Sequence, residues 1–262
     1  MTRPALLAAL AFATSLTVGG CASSGGGDEI TEVPSADRLY ELGVALLEEK
    51  DSLLGLNFTN YQKAIDQFQD IIDNYPYSEY AVLAELRIAD AHFAQSRWEE
   101  ALGYYRDFAQ LHPDHEKVPY TMLRTALCHE RQSEKSVRDQ TQTREAVAAL
   151  DKLILEYPNA AETAEAEQLW KKLRRKLGKQ AIEVGDFYFA RDEYQSAANR
   201  YRSVIDEFPG LGLDADALFK LGLAYSRMNR DDDARELFEV ILENYPASNV
   251  ADAARDQIPS AQ

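Results

Sequence analysis

The sequence predicts an all-α chain in which five helical hairpins stack into a right-handed superhelical solenoid. Three observations carry that expectation. Apolar residues recur three and four apart in paired stretches, as in Leu218, Leu221, Gly222 and Tyr225, then Ala234, Phe238, Ile241 and Leu242. Polar Asn229-Arg230-Asp231-Asp232 separates the two halves. Each pair ends in an aromatic or polar residue followed by proline, at Pro76, Pro113, Pro158, Pro209 and Pro246, with intervals of 37, 45, 51 and 37. Twelve residues before each stop stands an alanine: Ala64, Ala101, Ala146, Ala197 and Ala234. One such hairpin leaves an apolar face uncovered, so each copy must cover the next. No strand is expected in the folded body.

Residues 1–20, MTRPALLAALAFATSLTVGG, read as a secretory signal: Arg3, an apolar run from Ala5 to Val18, then small residues. That run of about 14 residues is shorter than the roughly 20 a membrane-spanning helix needs. Val18-Gly19-Gly20-Cys21 resembles a bacterial lipobox. Small residues fit a peptidase groove, and the Cys21 thiol is the nucleophile that becomes alkylated. Acyl chains there, palmitate among them, anchor the chain because each buried CH₂ contributes about 0.8 kcal/mol. Ala22 stands where Asp would suggest inner-membrane retention, which points to the periplasmic face of the outer membrane by analogy with lipoprotein sorting. Residues 21–34 then form a lipidated flexible tether, and 35–258 the solenoid. Cys128, beside Ala126 and Leu127 in a helical pattern, is expected to be a buried free thiol.

The repeats follow in order. The first, about 36–76, pairs a helix from about Ala36 to Glu49 with one from Tyr61 to Asn74, around the long insert KDSLLGLNFTN. The second, 78–113, carries Ile88, Ala89 and Phe93, then Trp98, Ala101, Leu102 and Tyr105. The third, 117–158, has its helices separated by a polar loop from Gln132 to Thr143. The fourth, 161–209, has no proline between Ala161 and Ala190, which predicts one unusually long helix in register with Gly185 and Tyr188. Its second helix runs from Tyr194 to Phe208. The fifth, 213–246, is the template, and Asn249 to Gln257 is a short helix covering the last apolar face. Ala89, Ala126 and Gly222, each thirteen residues after a stop, are small where two helices must approach closely. The order of small, aromatic and proline positions resembles the tetratricopeptide repeat (TPR), whose first helices line a surface that holds extended peptides.

A formal net charge of −16 argues against a nucleic-acid surface. No metal site or cofactor is expected: Pro113 breaks the helix that would bring His112 and His115 together, and no HExxH or CxxC spacing occurs. Gly210-Leu-Gly212 reads as a turn rather than a phosphate loop. No nucleophile stands in supporting context, so the chain is not expected to be an enzyme. Lys171-Lys172-Leu-Arg174-Arg175-Lys176, with Lys179, is anomalous in so acidic a chain. It reads either as a solvated face paired with Glu165 and Glu167, or as a docking patch for an acidic partner or lipid headgroups. On the inner surface, Tyr40, Val44 and Leu47 of repeat one and Leu86, Asp90 and Phe93 of repeat two suit an extended, partly apolar peptide. The same positions could serve packing between repeats.

Several stretches sharpen the resemblance. They are Tyr61-Gln-Lys-Ala64-Ile-Asp-Gln-Phe68, Asn74-Tyr75-Pro76-Tyr-Ser, Leu111-His-Pro113-Asp-His, Val137-Arg138-Asp139-Gln140-Thr141, Arg144-Glu-Ala146 and Glu156-Tyr157-Pro158-Asn. With the lipobox and five hairpins, they resemble the BamD family of outer-membrane β-barrel assembly lipoproteins. The resemblance implies that the amino-terminal repeats engage unfolded outer-membrane proteins. It implies that the carboxy-terminal repeats dock on a POTRA domain of a BamA-like barrel subunit. Asn199-Arg200 matches the family's docking motif, so Arg200 would pair with an acidic POTRA residue. The alternative is a TPR lipoprotein that scaffolds cell-wall enzymes.

Overall fold

The computed structural model describes residues 34–48, 50–53, 56–133 and 139–258. The expected signal at 1–20, the lipidation site Cys21 and the tether as far as residue 33 lie outside the described residues. Among those described, eleven helices follow one another: α1 (Ala36–Glu48), α2 (Tyr61–Asn74), α3 (Glu79–Ala94), α4 (Trp98–Leu111), α5 (Val118–Ser133), α6 (Thr141–Glu156), α7 (Thr163–Phe189), α8 (Tyr194–Glu207), α9 (Asp214–Arg227), α10 (Asp231–Asn244) and α11 (Ala251–Gln257). Each packs chiefly on the helices before and after it, and α1 also reaches α3. That nearest-neighbour order is what a TPR-like solenoid requires.

The stop prolines act alike in every repeat. Tyr75, His112, Tyr157, Phe208 and Tyr245 leave the helical region, each donating its backbone N–H to the carbonyl four residues back. Their φ values fall between −126° and −132° because the proline ring that follows excludes helical backbone at the preceding residue. At the other end of the hairpin, repeats two, four and five turn through one left-handed residue: Ser96, Asp192 and Asn229, with φ of 61°, 61° and 58°. The next N–H in each case closes back on the first helix, onto His92, Tyr188 and Tyr225 carbonyls.

Repeats one and three carry their extra residues at this same turn. In repeat one the insert departs from the all-helical expectation. Strands β1 (Lys50–Leu53) and β2 (Leu56–Thr59) pair antiparallel, with Lys50 opposite Thr59 and Leu53 opposite Leu56. The departure is local: the hairpin replaces a tight turn between α1 and α2, and the repeat register resumes at Tyr61. Glycine between two short runs containing Leu, Phe and Thr is a hairpin signal that the length of the insert alone did not reveal.

Inside each hairpin a large side chain meets a small one. The five alanines twelve before the stops are 0–2% exposed, and Phe68, Tyr105, Leu150, Tyr201 and Phe238, eight before the stops, are 0–1% exposed. Opposite them the first helix gives way. A Cβ placed on Gly43, Gly185 or Gly222 would sit 2.5–2.6 Å from the ring of Phe68, Tyr201 or Phe238. Burying each such ring contributes about 1.5–3 kcal/mol, available only because the partner helix carries no side chain there. The 27-residue α7 joins two cores. Ala166, Leu169 and Leu173 complete the core of repeats two and three, and Ile182 opens that of repeats four and five. Among the described residues no helix is long and apolar enough to cross a membrane.

Candidate functional site

Residues from α1, α3 and α5 line a cleft of about 220 Å³: Tyr40, Leu83, Leu86, Arg87, Asp90 and Tyr120, with Lys117 at its edge. Tyr40 is held by its ring, packed 5.6 Å from both Phe68 and Tyr80, and by its hydroxyl, which accepts from Arg87 Nε at 2.9 Å. Behind the cleft, Asp90 is a shared acceptor. The Tyr105 and Tyr120 hydroxyls donate to its Oδ1 at 2.6 and 2.7 Å, and the guanidinium groups of Arg124 and Arg87 lie 3.7 and 3.9 Å away. Arg124 Nε also donates to the Tyr105 hydroxyl at 3.0 Å. Burial, reinforced by the Asp90 carboxylate, raises the pKa of both tyrosines. Both therefore stay protonated at neutral pH and act as fixed donors. The cleft thus has an apolar floor, an aromatic wall and cationic edges, a combination that suits a peptide segment carrying apolar and aromatic side chains.

Of the four groove residues expected from sequence, Tyr40, Leu86 and Asp90 line this one cleft. Phe93 stands one helical turn beyond Asp90, outside the lining. Its ring packs edge-on to Trp98 at 4.8 Å, and the Arg124 guanidinium lies 3.7 Å from its centroid. Two residues that position the cleft, Arg87 and Arg124, were missed. The signal exists: each stands eleven residues after a stop proline, as does Lys220 in repeat five. Lys220 Nζ donates to Asp186 at 2.8 and 2.9 Å, and the Tyr201 hydroxyl donates to the same Asp186 at 2.7 Å. Repeats four and five therefore rebuild the aspartate–tyrosine–cation arrangement of repeats two and three.

Asn199 and Arg200 both project from the exposed face of α8. Gln195 donates to Asn199 Oδ1 at 3.1 Å. Arg200 borders two shallow clefts of about 330 and 280 Å³, with Arg144 in the first and Tyr188 in the second. No carboxylate among the described residues pairs with its guanidinium.

The basic run divides. Arg174 turns inward onto the Glu207 carbonyl and the rings of Trp170 and Phe208, at 4.6 and 5.5 Å. Lys172 pairs at 2.7 Å with Glu130, a buried carboxylate of α5, rather than with the expected Glu165 or Glu167. Glu167 and Glu165 lie five and seven residues before Lys172, outside the facing spacing of three or four, and the side chain faces α5. Cys128 is a buried free thiol whose pKa burial pushes up to about 12. His112 faces Glu85 at 3.0 Å, while His115 Nδ1 accepts from the Lys117 backbone, so the two imidazoles have separate partners.

Comparison with known proteins finds relatives by sequence. The family described as YfiO, outer membrane lipoprotein, matches residues 50–237. The outer membrane protein assembly factor BamD of Neisseria gonorrhoeae is 28% identical over 252 residues, 91% of this chain and 91% of that one. The BamD of Caulobacter vibrioides is 26% identical over 245 residues, 93% of this chain and 77% of its own length. Among solved structures, the TPR2AB-domain:pHSP90-complex of yeast Sti1 is 14% identical with a TM-score of 0.43, covering 84% of this chain and 81% of that one.

Proposed function

From the premise that this chain belongs to the YfiO outer membrane lipoprotein family, we propose that it is a non-catalytic subunit of a β-barrel assembly machine. In this reading residues 1–20 are removed, and acylated Cys21 tethers the solenoid to the periplasmic face of the outer membrane. The cleft at Tyr40, Leu86 and Asp90 takes targeting segments of unfolded outer-membrane proteins. Asn199 and Arg200 dock on a POTRA domain of a BamA-like subunit. No cofactor or covalent step is required, because burial of apolar residues in a preformed groove supplies the affinity.

The observation that carries the reading is the family match, which spans Leu86, Asp90 and Arg200. The geometry supports it. Arg200 is exposed, has no carboxylate partner within the described chain, and presents a planar fork suited to bidentate pairing. Arg200→Glu is expected to weaken binding of a purified POTRA domain at least about tenfold, or 1.4 kcal/mol. The helical melting curve and the affinity for a barrel-protein targeting peptide should stay as in the wild type. An unchanged POTRA affinity would refute the docking assignment. Recovery of a cell-wall enzyme in place of the barrel subunit from detergent-solubilised membranes would favour the scaffold alternative.

A further inference from the structure

A cleft of about 460 Å³ lies where the end of α5 meets the middle of α7, away from the Tyr40 groove. Lys172, Arg175, Lys176 and Lys179 line it, with Ser133 and Gln180. Four cations fall within eight residues of one helix, spaced three and four apart, so their charges stack on one face and repel one another. In a chain of net charge −16 such a face would ordinarily be relieved by nearby carboxylates. Here the relief is incomplete. Lys172 is matched by buried Glu130 at 2.7 Å, and Lys176 reaches only the neutral Ser133 hydroxyl at 3.2 Å. Arg175 and Lys179 have no carboxylate within salt-bridge distance among the described residues. Glu183, one turn beyond Lys179, also borders the cleft. Among the described residues, it and Glu130 leave the four cations in excess by two.

We propose that this cleft is a binding site for a phosphate ester. A concave surface with two uncompensated positive charges selects a compact anion rather than an extended one. The Arg175 guanidinium supplies the planar fork that matches phosphate oxygens, and Lys176 and Lys179 add point charges. Gln180 presents a neutral polar group for hydroxyls on the body of the ester. The volume lies in the range of ligand pockets, about 300–1,000 Å³, so it accommodates a phosphate together with a polar body. Lys171 and Arg174 stay outside the lining, Arg174 being committed to Trp170 and Phe208. The site does not rest on the docking reading of Arg200.

The ester has two possible sources, a membrane lipid headgroup or a soluble phosphate. Calorimetric titration of the full chain in neutral detergent at low salt separates them. The probes are inorganic phosphate and glycerophosphoglycerol, the deacylated headgroup of an anionic lipid. Saturable binding of either, weakened about tenfold or more by Arg175→Gln with Lys179→Gln, is the expected result. Tighter binding of the glycerophosphodiester assigns the site to a lipid headgroup, and tighter binding of phosphate to a soluble ligand. A second readout guards against misfolding. Without ligand the double variant should melt above the wild type, because repulsion is relieved, and it should lose the phosphate-induced rise in melting temperature. No saturable binding of either probe, unchanged binding by the folded variant, or tighter capture of a glutamate-rich peptide through the same two residues would each overturn the proposal.

Discussion

Repeats two and three and repeats four and five use one polar device in two environments. In both, a small residue precedes an aspartate on the first helix, a tyrosine fifteen residues later donates to that aspartate, and a cation from the next repeat closes the set. Around Asp90 the set is crowded: two tyrosines and two arginines converge, and Arg124 lies against the faces of Phe93, Tyr105 and Tyr120. Asp90 is 21% exposed and Arg124 22%. Around Asp186 the set holds one tyrosine and one lysine, and the aspartate is 45% exposed. A carboxylate that accepts two tyrosine hydroxyls and has two guanidinium groups beside it fixes the geometry of everything around it, whereas a half-solvated pair only fastens two repeats together. The crowded version stands behind the cleft at Tyr40 and Leu86. The looser one stands in the repeats that carry the exposed Arg200.

The comparison breaks most readily at the aspartates. Asp90→Ala would leave the fully buried Tyr105 hydroxyl and the Tyr120 hydroxyl without their acceptor, and the part-buried Arg124 without its carboxylate partner. It should cost about 2–4 kcal/mol in urea unfolding. Asp186→Ala removes a more solvated acceptor and should cost about 1 kcal/mol. Equal losses at the two sites would show that crowding at Asp90 adds nothing to stability.

A smaller effect tests the large–small pairing common to both regions. Gly185→Ala places a methyl group 2.5 Å from the Tyr201 ring, and the shift it forces should cost about 1–3 kcal/mol. Gly103→Ala on the exposed face of α4 meets nothing within 4 Å. It should raise stability by about 0.5–1 kcal/mol, since alanine restricts the unfolded chain more than glycine does. Thermal melts of the two variants should therefore move in opposite directions.

Much of this was legible in the sequence because proline acts locally. The ring at Pro76 or Pro209 restricts the residue before it wherever the chain goes next, so helix ends and the repeat register follow from spacing alone. The alanines twelve residues upstream were equally legible, since only a small side chain fits where two helices cross. What stayed hidden depends on neighbours. The basic run has carboxylates upstream at Glu165 and Glu167, but Lys172 pairs with Glu130, a choice set by how α7 lies on α5. Phe93 has the right residue type for the groove, yet the end of α3 aims it at Trp98. Arg124 and Lys220 share a position relative to the stops, but that offset does not name the aspartate each meets across the repeat boundary.

The finest distinction between the two regions lies in their tyrosines. Tyr105→Phe and Tyr201→Phe each delete one hydroxyl and should cost about 1 kcal/mol at pH 7. Tyr105→Phe should cost more, because Arg124 Nε loses the acceptor it now has. Alkaline titration sharpens the difference. Burial raises the pKa of both hydroxyls above the ordinary value of 10.0, and the neighbouring aspartate raises it further. The unfolded chain therefore releases these protons near pH 10 while the folded chain retains them. Their contribution is complete below pH 10 and is lost as pH rises towards the higher folded values. Unfolding free energy measured in urea from pH 8 to 11 should fall in the wild type and fall less steeply in either variant. If Tyr105→Phe leaves the wild-type slope intact, its proton is not retained by the folded state, and the crowded set at Asp90 is no tighter than its counterpart at Asp186.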